Sequence, residues 1–448
     1  MADRHSEKQN TWHSGGRNPF LPLSVYIPDG EPKVFGDRVY LYGSKDEFGG
    51  EYCSHKYHVY SAPVDDLETW TDHGAILAST DEYLAEGIGD GVPWSDGLLW
   101  APDVAKKGDT YYLYFCLSDG SEGVAESPRP EGPFTHARRI TMGGKPIEGI
   151  DPSVLEVNGS YYYTWGQGKC HMARLMDDMC TLDPESYIEA LISNEEGREG
   201  FHEGSSLRRI GDWYCLVYAS EYTIRFPNRR GTPTCLDYAV SKEVSGPYER
   251  RGTIIDNTGI DPRSWNNHGS IIRIGEDWFV FYHGSSNNSE YARRARVERI
   301  QVDEESGTIA RAEMTSSGFA RSLPIGETVD AACAYRLWGG AYCTEKAGKF
   351  PLVHVKDGNA AAFRYIDFGE TRRDVNLTLR GTCLQGGEIA VCAYGREMAR
   401  VPVCQSGPFE ETVLLPGVQG RTELKVVFHG REDQEILELD SIRLSETA

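Results

Sequence analysis

Short apolar runs broken by Gly, Asp and Asn turns fill the first two thirds of the chain, and one pattern recurs five times. The copies are PDGEPKVFGDRVYLYGS (28–44), WAPDVAKKGDTYYLYFCLS (100–118), DPSVLEVNGSYYYTWG (151–166), EGSSLRRIGDWYCLVYAS (203–220) and HGSIIRIGEDWFVFYHG (268–284). Each starts on a small or polar residue, passes through a short apolar run, breaks at a turn and resumes as an aromatic-rich strand. That alternation predicts a β-hairpin. Further strand-like runs, such as YHVYSAP and CLDYAVS, lie between the copies. The register is tight: Asp151, Glu203 and His268 precede Tyr161, Trp213 and Trp278 by 10 residues each. Starts at 29, 100, 151, 203 and 268 are separated by 71, 51, 52 and 65 residues. Such intervals suit four-stranded blades with variable loops, so a five-bladed β-propeller is predicted over 18–315. Its five innermost strands would bring the repeat starts together at one mouth of a central channel.

The hairpin register ends near residue 320. From 326 to 448 a different all-β pattern follows, with AAFRYIDFG, VNLTLRG, GEIAVCAYG, TELKVVFHG and LELDSIRL. Its alternation and short turns predict a β-sandwich. Residues 1–17 are expected to be a flexible lead. The fold class is therefore all-β, in two domains, as 448 residues exceed one ordinary core.

Composition narrows the ligand. A net charge of -22, from 46 basic and 68 acidic residues, opposes nucleic acid and is compatible with a neutral sugar. The 25 Tyr, 15 Phe and 9 Trp suit strands and can also supply platforms for sugar rings. The opening MADRHSEKQNTWHSGG has no apolar h-region, and no run reaches membrane-spanning length. The 11 cysteines lack metal-ligand spacing. Cys116, Cys170 and Cys215 fall in strand patterns and read as reduced. A cytoplasmic protein is expected, or a secreted one if this is a trimmed mature form. The expected partner is an oligosaccharide, with neither nucleic acid nor membrane; nothing in the pattern fixes an oligomeric state.

Asp29, Asp151 and Glu203 occupy one position in three repeats, flanked by small residues in YIPDGEP, GIDPSV and FHEGSS. Asp and Glu beside Pro or Gly also initiate turns. Three carboxylates in one register instead suit glycosidic cleavage, which needs an acid for the leaving oxygen and a base or nucleophile opposite. Crowding must raise at least one pKa. Glu31 is a rival to Asp29. His268 shares the register; alone it is a poor zinc site, and it could hydrogen-bond waters around a hard cation or satisfy core carbonyls. Tyr26, Trp94, Trp100, Trp165 and Trp265 could line a sugar pocket or fill the blades. His202 is a candidate pocket donor. Arg293 could hold a sugar hydroxyl or a carboxylate.

The five motifs together resemble glycoside hydrolase family 43, over about 18–315. That resemblance implies a five-bladed propeller that inverts the anomeric centre. By it, Asp29 matches the general base, Asp151 the carboxylate that tunes and orients the acid, and Glu203 the general acid. An ionised Asp151 is expected to raise the Glu203 pKa. His268 matches the family histidine near the axis, often beside calcium and its waters; no cofactor is expected to be needed for the chemistry. Arg293 matches the arginine near the sugar. Pro28-Asp29-Gly30 departs from the family's usual Ala-Asp-Pro. Segment 326–448 resembles a family 6-type carbohydrate-binding module, with Trp338, Tyr342 and Tyr365 as candidate platforms. The implied activity is exo-acting α-L-arabinofuranosidase or β-xylosidase. The alternatives are a galactan- or arabinan-cleaving member, or a non-catalytic carbohydrate-binding protein.

Overall fold

The computed structural model describes residues 10–47, 52–80, 88–193, 200–220, 235–257, 260, 267–285 and 291–447. Among them the only helical turns are two 3₁₀ segments, Pro184–Ser186 and Ala331–Cys333; everything else regular is strand. No helix among the described residues is long and apolar enough to cross a membrane.

All five expected hairpins form, and each supplies two neighbouring strands at one edge of a sheet. The leading strands are Glu31–Phe35, Leu99–Lys107, Ser153–Val157, Phe201–Ile210 and Ser270–Ile274. Each pairs antiparallel with the aromatic strand that follows it. The turns are two residues long, which suits primed turns and right-handed strand twist. Gly36 opens the first at φ 62°, and Asn158-Gly159 closes the third with φ 52° and 82°.

Leading strands lie beside one another in chain order, and the fifth returns to the first. Apolar side chains follow the same circuit. Val59 and Tyr57 of the first sheet pack with Leu113 and Phe115 of the second. Tyr114 packs with Tyr163, Met172 with Leu216, Val217 with Val280, and Phe281 with Leu41. Each sheet thus buries both faces against its neighbours, a propeller-like arrangement. The sheets are not uniform: among the described residues the fifth has three strands, ending at Arg293–Ile300, where four were expected.

The described part of the lead includes a strand. Asn10–His13 pairs with Thr69–Asp72 on the outer edge of the first sheet. Phe20 then packs on Trp70 and Phe319, and Asn18 Nδ2 donates to Val297 O, Thr315 O and Glu298 Oε1.

Two further sheets follow. One is centred on Arg373–Cys383 and Leu437–Glu446, the other on Ala360–Asp367 and Arg421–His429. Both contribute to one core, including Leu377, Leu439, Phe363 and Val426. Tyr335 and Ala362 join the core of the fourth and fifth sheets, and Leu323 N donates to Tyr365 O. The later sheets therefore pack against the earlier ones.

Candidate active site

The repeat register delivers the three carboxylates to one place. Asp29, Asp151 and Glu203 line a pocket of about 250 Å³, together with Trp100, His202, His268 and Arg293. Tyr52, Cys53, Gln167, Ala101 and Ile150 complete its wall among the described residues. Asp29 and Asp151 each stand two residues before a leading strand with φ 58°, a left-handed conformation that non-glycine residues adopt at a cost. Each backbone N–H is held by the second strand of the preceding sheet: Asp29 N donates to His283 Nδ1 (3.4 Å) and Asp151 N to Cys116 Sγ (3.2 Å). Glu203 lies within its strand at a register shift. Gly204, at φ 68°, lets the chain approach the His268 ring.

The carboxylates differ electrically. Burial alone would raise Asp29, but Arg293, His268 and His283 outweigh it and hold its pKa below the usual value. Arg293 Nη1 donates to Asp29 Oδ1 at 3.1 Å, and His268 Nδ1 lies 3.9 Å from the same oxygen. Asp151 goes the other way: burial, then the charges of Glu203 and Asp29, push it well above the carboxylate range, although Gly204 N donates to its Oδ2 at 3.0 Å. This corrects the expectation of an ionised Asp151. Burial and the negative neighbours Glu203 and Asp29 thus disfavour a charge on Asp151. Glu203 Oε2 accepts from Gln167 Nε2 at 2.7 Å, and His202 Nε2 is 3.5 Å from that oxygen.

Glu31 is separated from this chemistry. Its Oε2 pairs with Arg208 and accepts from Ser206 Oγ, while Lys33 Nζ meets Asp103 Oδ1 at 2.7 Å. Asp103 Oδ2 accepts from Val154 N, and Ser206 bonds Ser270. These contacts link all five leading strands along the axis, and mutual pairing offsets the desolvation of the buried charges.

Several aromatic expectations are corrected. Tyr26 is buried under the Arg294 guanidinium and does not line the pocket. Trp94 stacks on Phe115 and donates to Ser121, and Trp165 packs on Tyr163 in the core of the second and third sheets. Blade packing claimed these rings because each neighbours the aromatic strand of a hairpin. Trp265 lies outside the described residues. Trp338 carries Arg336 and Lys425 against its ring, Tyr365 carries Arg421, and Tyr342 meets His354 edge-on. Asp46, Gln167, Tyr52 and Cys53 were missed, as they sit in connections outside the repeat.

No group of three His, Cys, Asp or Glu side chains suited to a metal occurs among the described residues. A cation beside His268 would therefore be held mainly by water. Glu31 Oε1 is buried and has no hydrogen-bond partner among the described residues, an acceptor that suits a hard ion or water.

Residues 17–308 match the family model described as glycosyl hydrolases family 43. The chain is 32% identical over 444 residues to a xylosidase/arabinosidase of Thermoclostridium stercorarium, covering 86% of this chain and 90% of that protein. Its fold is similar to that of a family 43 arabinoxylan arabinofuranohydrolase from Bacillus subtilis, solved with cellotetraose (TM-score 0.57, 20% identity, 97% and 98% coverage). A family 43 β-xylosidase/α-arabinofuranosidase from a compost metagenome, solved with xylotriose in calcium-free form, is also similar (TM-score 0.53, 25% identity), covering 68% of this chain and 98% of that one.

Proposed function

The chain belongs to glycosyl hydrolase family 43, and from that premise we propose an inverting, exo-acting glycoside hydrolase that removes terminal α-L-arabinofuranose or β-xylose from plant-type oligosaccharides. We read 18–315 as a closed five-bladed β-propeller and 326–448 as a β-sandwich. The observation that carries the function is the meeting of three carboxylates from three sheets in one pocket of about 250 Å³. Pockets for drug-sized ligands run from about 300 to 1,000 Å³, so this one suits a single sugar ring, as end-on removal requires.

Asp29 acts as base: its depressed pKa keeps it ionised to take a proton from the attacking water. Glu203 acts as acid. Gln167 donates to Oε2, which leaves Oε1 to carry the proton toward the leaving oxygen. Asp151 shares the pair's proton and, through Gly204 N, is tied to the strand that bears Glu203. Inversion needs an acid–base separation of about 6.5–9.5 Å, leaving room for water. Trp100, His202 and Arg293 form the wall that meets the sugar.

A structural divalent cation beside His268, held through water, is part of this reading. Metal analysis after dialysis, together with activity in chelator, tests it; no ion and unchanged activity would refute it. Segment 326–448 resembles a carbohydrate-binding module, but cations already cover one face of Trp338 and Tyr365. That favours a supporting role for it. The main test is early-time NMR of products from arabino-, xylo- and galacto-oligosaccharides. A single released pentose of inverted configuration is expected; retained configuration, or internal cleavage, would overturn the assignment.

A further inference from the structure

Arg293 is almost wholly buried, with most of its donors committed away from the pocket. Nε donates to Asp46 Oδ2 at 2.8 Å and Nη2 to Asp46 Oδ1 at 2.9 Å, a two-pronged carboxylate grip. The Arg293 backbone N–H also donates to Asp46 Oδ2, at 3.0 Å. Asp46 is itself fixed: its Oδ1 accepts from Cys53 N (2.9 Å), and its own N–H donates to Tyr26 O (3.0 Å). The Tyr52 ring closes over the guanidinium, 4.7 Å away, and is braced edge-on by Tyr291. What this leaves pointing at the reaction is Nη1, on Asp29 Oδ1.

A planar guanidinium gripped along one edge has a single orientation for its remaining nitrogen. We propose that Asp46 is a positioning residue for the hydrolysis: it aims Arg293 so that Nη1 holds the Asp29 carboxylate in line for water activation. Asp46 itself touches neither water nor sugar. The inference deepens the function proposed above and rests on Asp29 being the base.

Two kinds of measurement test it on the full chain. The first is the crystal structure of Asp46→Ala, which deletes both acceptors. The expected result is a guanidinium turned off Asp29, with the Nη1 to Oδ1 hydrogen bond lost. An Arg293 that keeps its 3.1 Å bond to Asp29 overturns the proposal. The second is kinetics of Asp46→Ala and the shape-conserving Asp46→Asn on nitrophenyl pentosides. A misaimed base costs on the order of 10²-fold in kcat for Asp46→Ala, with KM little changed and the loss equal for good and poor leaving groups. Asp46→Asn keeps one acceptor and should fall between wild type and Asp46→Ala. In an Asp29→Asn background neither change should reduce kcat further, because Asp46 acts only through Asp29. Losses that multiply in that background, or that appear in KM alone, overturn the proposal. Wild-type protein inert on every pentoside would refute the proposed function, while the crystallographic arm would still decide the role of Asp46.

Discussion

Asp29 and Asp151 share one backbone geometry, φ 58° in each, two sheets apart. Each is held through its N–H by a side chain of the preceding sheet, His283 for one and Cys116 for the other. The left-handed conformation costs on the order of 1–2 kcal/mol for an L-residue, and Asn and Asp tolerate it best. Asp151→Asn is therefore expected to fold normally, whereas Asp151→Val should lose stability. In activity, Asp151→Asn should shift the basic limb of the pH profile to lower pH, because the proton of the carboxylate pair loses one of its two holders. A limb that stays in place, measured as kcat/KM against pH, would show that Asp151 does not tune the acid.

The two ends of the reaction should separate by leaving group. Glu203→Ala removes protonation of the leaving oxygen, so sugar leaving groups should suffer far more than an activated nitrophenolate. Asp29→Ala removes water activation and should slow both alike. Losses of about 10²–10⁴ are the scale for a general acid or base. Steady-state rates on nitrophenyl pentosides and on the matching disaccharides check this. Equal impairment of Glu203→Ala on both classes would remove Glu203 from the acid role.

How far the sequence reached follows from where each residue sits. Asp29, Asp151, Glu203 and His268 were legible because the hairpin repeat gives them one register, and that register becomes one pocket. Trp100 was legible as the start of the second repeat, and His202 and Arg293 as residues close to the fourth and fifth. Tyr26, Trp94 and Trp165 misled because an aromatic beside a leading strand serves blade packing as readily as a sugar. Asp46 and Gln167 stayed hidden in connections, where no periodicity marks them. Their partners, Arg293 and Glu203, are distant in sequence by 247 and 36 residues. A buried arginine calls for a buried carboxylate, but only the fold says which one.

Glu122 gives a stability test apart from catalysis. Burial raises its pKa to about 8 despite the hydrogen bond from Tyr163, and its Oε1 has no partner in the structure. The folded state thus binds a proton that the unfolded chain releases at the ordinary value of 4.5. The stability this group contributes is complete below 4.5, falls as pH rises toward about 8, and is lost above it. Glu122→Gln keeps an acceptor for Tyr163 and cannot ionise. Its thermal midpoint, relative to wild type, is expected to be higher at pH 8 than at pH 5. A difference that does not vary between those pH values would show that Glu122 ionises freely in the folded protein.

Gln167 is expected to decide which oxygen of Glu203 does the work. Its Nε2 lies 2.7 Å from Oε2, and the turn that carries it is pinned where Gly168 N donates to His202 O at 2.7 Å. An amide N–H facing Oε2 favours a lone pair there, so Glu203 acting as the proposed acid would carry its proton on Oε1. Gln167→Ala lets the proton occupy either oxygen and frees the carboxyl to rotate. Gln167→Glu puts an acceptor where the donor stood, and its charge opposes loss of the proton from Glu203. For Gln167→Ala, kcat on disaccharides should fall by up to about 10-fold, in line with the net worth of a hydrogen bond to a neutral carboxyl, about 0.5–1.5 kcal/mol. Nitrophenyl substrates, which need little acid help, should be nearly unaffected. Gln167→Glu should extend activity to higher pH on poor leaving groups while lowering its maximum. A plot of log kcat against leaving-group pKa reads both effects: a steeper slope for Gln167→Ala than for wild type supports the assignment. A parallel line displaced downward would instead place Gln167 in general support of the pocket and leave the choice of oxygen to the substrate.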